Sequence, residues 1–337
     1  SSLQQVASSK FGYSVSKTMM LAQKLYESGK ITYMRTDSTN ISDDARGAIK
    51  HFVTKKFGEE YFFSRNFTKK AKNAQEAHEA IRPTNIELSK LDGDEGKLYN
   101  LIWRRAVASQ MADAVSETTT IKINDLKKNV DDSTFFVCKG EVIKFKGFLE
   151  VDPVDKKNKE ILPLINEGES LDSDFISARQ KFKKAKGRYN EASLVKKLED
   201  LGIGRPSTYA PTIFVIQKRG YVEKKDFEGG QRDYVEFVLK NGMISEELKK
   251  ENFGAEKRKL FPTDTGIVTN DFLMKHFSNI IDYNFTANVE RDFDDIANGG
   301  QKWDQMIKAF YEKFDPEISK VIEFADKFVG MRELGID

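Results

Sequence analysis

The segment SGKITYMRTDSTNIS, residues 28–42, sets an ionisable phenol, Tyr33, two positions before a fixed cation, Arg35. Asp37, Ser38, Thr39 and Asn40 follow at once. A phenol is mostly protonated at neutral pH, so it attacks phosphorus only with a cation or a base beside it. The run Ile31 to Met34 reads as extended, and a period of two would put Tyr33 and Arg35 on one face, where a guanidinium fork matches a phosphate. A tyrosyl phosphodiester would conserve the energy of the broken bond, so that a strand could be cut and resealed without ATP. The plainer alternative is a strand tyrosine that only packs.

Two further stretches carry residues suited to phosphate. QEAHEAIRPT, residues 75–84, brackets His78 with glutamates and continues into Arg82. A single histidine is more often a hydrogen-bonded structural residue, but the adjoining arginine and threonine suggest a phosphate-contacting turn. GIGRPSTYA, residues 202–210, offers glycines for close backbone approach, Arg205 for charge, and Ser207 and Thr208 at a helix start. Gln23 and Glu27 lie one turn apart on the helix before Tyr33. The run KFKKAKGR, residues 181–188, has five basic residues in eight, although such runs are usually solvated surface.

The elements that must hold these residues follow from pattern. Helices are expected over LQQVASSKF and KTMMLAQKLYES, the second capped by Ser14 or Ser16 and stopped at Gly29. A third helix, DDARGAIKHFVTKKF, starts after Ser42, and a fourth covers about 93–115 with Leu98, Leu101, Ile102, Ala106 and Met111 inward. Residues 117–185 are rich in β-branched and aromatic types and read as an open β segment. ASLVKKLEDLG, a turn, a helix capped by Ser207 or Thr208, and a hairpin turning at Gly229-Gly230 make a winged-helix order, whose second helix often meets DNA. Residues 8–34 repeat that order in outline. Helices follow at about 264–278, 285–298 and 301–327.

Composition bounds the class. A chain of 337 residues with 39% hydrophobic and 32% charged content suits a soluble protein of two or three domains. No apolar run spans a bilayer, and the lone Cys138 excludes an internal disulfide or a cysteine zinc site. The net charge of +2 does not by itself call nucleic acid.

ITYMRTDS, AHEAIRPT and GIGRPSTYAPTI, with LIWRRAVASQM, TMMLAQKLYE and DYNFTANVE in order, resemble the type IA DNA topoisomerases of bacteria across about residues 1–320. The resemblance implies a multidomain α+β fold: two winged-helix-like (CAP-like) domains joined by a β-rich hinge, part of a toroid. The expected divisions are 1–116 with the tyrosine, 117–188 as a partial hinge, 189–325 as the second winged-helix domain and 326–337 as a tail. It implies Tyr33 as the nucleophile that becomes joined to a 5′ phosphate, Arg35 orienting the scissile phosphate and His78 serving its network. It also implies DNA contacts from Gln23, Glu27, Thr32, Asp37, Ser38, Arg82, Arg205, Ser207, Thr208 and Arg219. The implied reaction relaxes negative supercoils by passing a strand through a transient break, in the bacterial cytoplasm and nucleoid, by a monomer acting chiefly on single-stranded DNA.

The same resemblance implies Mg²⁺ held by an acidic cluster in a Toprim domain, and nothing in these residues resembles that domain. The chain, which opens on Ser-Ser-Leu with its first methionine at Met19, therefore reads as a fragment that binds no metal itself and is inactive alone. A DNA-binding module without catalysis and an interaction scaffold are the competing readings.

Overall fold

The computed structural model describes residues 1–67, 79–124, 135–153 and 162–325; the expected tail at 326–337 and His78 lie outside the described residues. Helix α1, Ser2–Phe11, ends on left-handed Gly12. Helix α2, Val15–Glu27, begins where the Ser14 hydroxyl accepts from Lys17 N at 3.1 Å, and Gly29 in the left-handed region turns the chain out. Thr18, Leu21, Ala22 and Leu25 recur at helical spacing and are buried. Helix α3, Asp43–Phe57, carries Asp43 and Asp44 in its first turn and Lys55 and Lys56 in its last, which complements its dipole.

Helix α4, Gly93–Ala108, completes the main core, in which Leu25, Ile31, Ile49, Val53, Leu98, Tyr99 and Val107 are fully buried. All five residues expected inward on this helix are buried, but the helix stops at Ala108, short of the predicted 115. The reason is tertiary. The fully buried Gln110 accepts from Arg65 N at 3.0 Å and donates to Arg65 O at 3.0 Å, while Ala112 N reaches Tyr61 O at 2.8 Å. Those bonds pull residues 110–112 alongside 61–65 and out of the helix.

Strands β1, Val115–Ile123, and β2, Phe136–Phe145, form an antiparallel ribbon. Strand β3, Ile176–Arg179, helix α5, Glu191–Leu201, and helix α6, Tyr209–Lys218, follow. The expected hairpin at Gly229-Gly230 does not form. Strand β4, Val222–Phe227, pairs instead with β7, Glu256–Pro262, and β5, Gly230–Lys240, pairs with β6, Met243–Phe253, and with β3. The long hairpin turns at Asn241-Gly242, both left-handed at φ 52° and 75°, the pair of signs that a two-residue turn between twisted strands requires. Gly229 closes its base, where a Cβ would stand 2.2 Å from Phe253 O. The β3-β5-β6 sheet thus draws strands from both sides of the expected 188/189 boundary. Helices α7, Asp264–His276, α8, Ser278–Ile281, α9, Tyr283–Ala297, and α10, Trp303–Phe324, end the described chain.

The α1–α4 unit and the α5–α6 unit share a small second core of Val15, Val195, Tyr209 and Ile213. The buried Glu191 accepts from Val15 N at 2.9 Å and pairs with Lys224 Nζ at 2.7 Å. Arg258 reaches Gly12 O at 2.9 Å.

The segment after α2 is not a strand. The bridge between Ile31 and Pro83 has two backbone rungs, Thr32 N to Arg82 O at 2.9 Å and Thr84 N to Lys30 O at 3.1 Å, and the ladder goes no further towards Tyr33. The hydroxyl of Thr32 takes the groups that would continue it, donating to Ala80 O at 2.8 Å and accepting from Arg82 N at 2.9 Å. Bends at Thr32, Met34 and Arg35 follow, so the period-two argument for a shared strand face does not hold.

Thr32→Val keeps the shape and removes the hydroxyl, which leaves Arg82 N and Ala80 O short of a partner. A loss of about 1–3 kcal/mol in denaturant unfolding is expected; an unchanged midpoint would show that the tie contributes nothing. Asp94 gives a pH prediction. Hydrogen bonds from Lys17 Nζ and Tyr13 Oη, at 2.6 and 2.9 Å, hold its carboxyl down at about 2 from 3.8. A depressed folded pKa gives stability that is full above about pH 4 and is lost as pH falls through about 2. Asp94→Asn therefore lowers the thermal midpoint at pH 7, and the gap from the unaltered chain closes on acidification; a gap constant from pH 7 to pH 2 would contradict the assignment.

Candidate active site

Tyr33 is 42% exposed on the bend that leaves α2, and its ring meets that of Tyr26 edge-on, with centroids 5.2 Å apart at 70°. Such an edge contact fixes a ring plane while leaving the hydroxyl to solvent. Arg35 is exposed, and among the described residues its guanidinium has no hydrogen bond or ion pair. A free fork of five donors two residues along the chain from an exposed phenol suits a ligand that carries phosphate oxygens. Sequence reasoning missed Tyr26. Its place in KLYESGKITY, just before a glycine turn that reverses the chain, was the available signal.

The other expected residues divide by what they already touch. Gln23 Nε2 donates to Glu27 Oε1 at 2.6 Å on exposed α2 surface, one turn apart as expected. Thr32 is committed to the 80–82 backbone. Ser38 N is held by Thr36 Oγ1 at 3.0 Å, and Ser38 Oγ accepts from Asn40 N at 3.2 Å, a pair of side-chain turns that set the loop. Asp37 Oδ1 is buried with no hydrogen-bond partner among the described residues.

Arg82 is not free. Its Nε and Nη2 grip both oxygens of Glu79 at 2.6 and 3.0 Å. Glu79 also accepts from Ser42 N at 2.9 Å, at the start of α3. Burial works to raise the Glu79 carboxyl, but the bonds from Arg82 and Ser42 win and hold it below the usual carboxylate range. Arg205 is likewise committed, to Glu290 at 3.2 Å and Asp294 at 2.9 Å on α9, with its side chain 18% exposed. Nothing in the local sequence announces carboxylates 85 and 89 positions away.

Ser207 and Thr208 are exposed at the start of α6. The Thr208 hydroxyl turns back to accept from Arg205 N at 2.9 Å, so it does not cap the helix. Gly204, at φ 82°, leaves room for that hydroxyl, which an added Cβ would meet at 2.9 Å. Tyr209 beside them is buried; burial and the Glu199 carboxylate push its phenol up to about 12 against the pull of Arg205, so it stays neutral near pH 7. Arg219 is exposed at the far end of α6. The Tyr209 phenol also feels the charge of Asp37, so the 202–209 turn lies within electrostatic reach of the loop that follows Tyr33.

Among the described residues no three His, Cys, Asp or Glu side chains converge as a metal site, and no helix is long and apolar enough to cross a membrane. Comparison with known proteins gives the lineage. The family model described as DNA topoisomerase matches residues 1–231. A DNA topoisomerase 1 of prokaryotic type from Acanthamoeba polyphaga mimivirus is 41% identical over 95% of this chain and 40% of its own length. DNA topoisomerase 1 of Pseudomonas aeruginosa is 39% identical over 98% of this chain and 35% of its own. The structure of full-length topoisomerase I from Thermotoga maritima superposes with a TM-score of 0.72 at 34% identity, covering 97% of this chain and 49% of that one. The chain thus spans less than half the length of these relatives. The family match over residues 1–231, with relatives 39–41% identical along nearly all of the chain, makes it a member of the type IA DNA topoisomerase family.

Proposed function

We propose that the chain is the tyrosine-bearing part of a type IA DNA topoisomerase that cuts one DNA strand, lets another pass and reseals the cut without ATP. One observation carries the reading: Tyr33 and Arg35 are both exposed, and Arg35 has no partner among the described residues, whereas Arg82 and Arg205 are tied to carboxylates. The phenolic oxygen of Tyr33 forms a bond to phosphorus as the bond to the 3′ oxygen breaks. The phenol loses its proton, the 3′ oxygen gains one, and tyrosine remains on the 5′ phosphate. Resealing reverses each step. Because one phosphodiester replaces another, no external energy is consumed.

In this reading Arg35 neutralises the scissile phosphate and orients it through its planar fork. Ser207, Thr208 and Arg219 hold the DNA backbone beside it, with Gln23, Glu27, Asp37 and Ser38 around the tyrosine. His78 serves a neighbouring phosphate. The two helical units act as winged-helix-like elements of a toroid, joined through the β segment. A Mg²⁺ site and the acid that protonates the leaving oxygen belong to a Toprim region outside these 337 residues. The described residues do not fit a metal site, so the steps above are written without one.

Tyr33→Phe in a full-length enzyme carrying this sequence keeps the ring and removes the attacking oxygen. DNA affinity stays within about twofold and covalent adduct is abolished; adduct from this variant would refute the nucleophile assignment. Arg35→Lys keeps charge and loses the fork, so cleavage falls by about two orders of magnitude, as for loss of a positioned transition-state donor; relaxation at the unaltered rate would make Arg35 a surface cation. The 337-residue chain by itself binds single-stranded oligonucleotide, more weakly at high salt, and does not relax supercoiled plasmid with or without Mg²⁺. Plasmid relaxation by this chain would place the whole catalytic centre within it.

A further inference from the structure

The basic run 181–188 is absorbed by none of the roles above, and the fold gives it company. Residues 187–189 lie along β7: Leu260 N donates to Tyr189 O at 2.8 Å, Lys259 Nζ to Arg188 O at 2.8 Å, and Arg188 N to Glu256 Oε1 at 2.7 Å. On the facing strand Lys225 pairs in register with Lys259. Arg188, Lys225 and Lys259, from three basic stretches distant in sequence, therefore come together at β7, and the exposed Lys183, Lys184 and Lys186 lead the chain into that place. Most lysines on a protein surface find a carboxylate or face open water. Here Glu256 is taken by Arg188 and Glu223 by Lys225, and among the described residues Lys183, Lys184, Lys186 and Lys257 have no ion pair.

Two features separate this surface from a merely solvated run. First, exposed aromatic residues belong to the same ribbon: Phe227, 49% exposed, meets the Phe261 ring, and Tyr189, 47% exposed, directly follows Arg188 in the chain. Cations interleaved with exposed rings provide phosphate attraction and base stacking together, which an acidic protein surface would not need. Second, the ribbon is anchored. Arg188 stacks on the Phe261 ring at 4.5 Å, and Lys225 lies over the same ring at 4.9 Å, while Lys224 holds Glu191 at 2.7 Å from the inner face. Glu191 in turn binds Val15, at the opposite end of α2 from Tyr26. Eleven residues of helix separate Val15 from Tyr26, about 16 Å at 1.5 Å per residue, so the basic surface does not adjoin the tyrosine.

From this arrangement we infer that the outer face of the β4–β7 ribbon, with residues 183–189, is a second nucleic-acid contact that takes a single-stranded segment by its phosphates and by stacking on Tyr189 and Phe227. The inference rests on the DNA reading above and adds a surface to it. Fluorescence anisotropy of the 337-residue chain with a labelled oligothymidylate, titrated over a range of salt, tests it. The variant K183Q/K184Q/K186Q alters side chains with no partners among the described residues, so the fold is not at risk. Its slope of log affinity against log salt is expected to fall by about 2, at ~0.7 for each phosphate that is no longer neutralised. Tyr189→Ala is expected to weaken binding about tenfold, the lower range measured for removal of one base stack, with the slope unchanged.

Affinity and slope equal to those of the unaltered chain in the triple variant would overturn the surface. If binding then still fell in a variant altered at Ser207 and Arg219, the DNA reading would stand without it. No oligothymidylate binding by the unaltered chain would overturn both. Displacement by polyglutamate as readily as by oligothymidylate, at equal charge, would overturn the nucleic-acid assignment in favour of an acidic polypeptide.

Discussion

The packing of α2 is the constraint on which the tyrosine loop depends. This helix meets α1, α4 and α6, and its buried Leu21, Ala22 and Leu25 fix its rotation about its axis. Rotation decides everything that follows. It puts Tyr26 on the outer face, aims the chain through Ser28 and Gly29, and presents Tyr33 edge-on to Tyr26. The other end of the helix is held from the second unit, where the buried Glu191 binds Val15 N. A movement of α5 and α6 relative to α1–α4 must break that bond and part Val15 from Val195 and Tyr209. The separation is costly, because a buried carboxylate would lose a backbone donor while it keeps Lys224.

Charge is allocated unevenly around this frame, and the allocation gives each arginine its meaning. Arg82 spends its fork on Glu79 and thereby joins the 79–84 segment to the start of α3. Arg205 spends its fork on α9 and fixes the shape of the 202–208 turn. A guanidinium already satisfied by two carboxylates gains little from a phosphate unless it first gives up a partner. Arg35 has no such partner among the described residues. Three arginines that look alike in sequence motifs therefore differ in their readiness to meet an anion.

Helices were largely legible because their signals are local. Ser14, Gly29 and Gly58 mark ends that the structure keeps, and the apolar spacing of Leu98, Leu101 and Ile102 marks a face that is buried. What failed was decided by partners distant in sequence. The end of α4 is set by Gln110 reaching residues 61–65, and no propensity records that. The hairpin was misplaced because Gly229-Gly230 drew attention from Asn241-Gly242, a stronger turn signal present in plain view. In the site, Tyr33 and Arg35 were singled out by their spacing, though for a strand geometry that the bends at Thr32, Met34 and Arg35 do not keep. Tyr26, Glu79, Glu290 and Asp294 entered only with coordinates.

The central claim is that the hydroxyl of Tyr33 carries the DNA. Its most direct measurement is mass spectrometry of a full-length enzyme with this sequence, trapped during cleavage of an oligonucleotide and digested with trypsin and nuclease. Cleavage after Lys30 and Arg35 releases residues 31–35, Ile-Thr-Tyr-Met-Arg. The account predicts that this peptide carries the mass of a 5′-linked nucleotide on its tyrosine. An unmodified 31–35 peptide, with the nucleotide found on another residue of the same trapped protein, would contradict it.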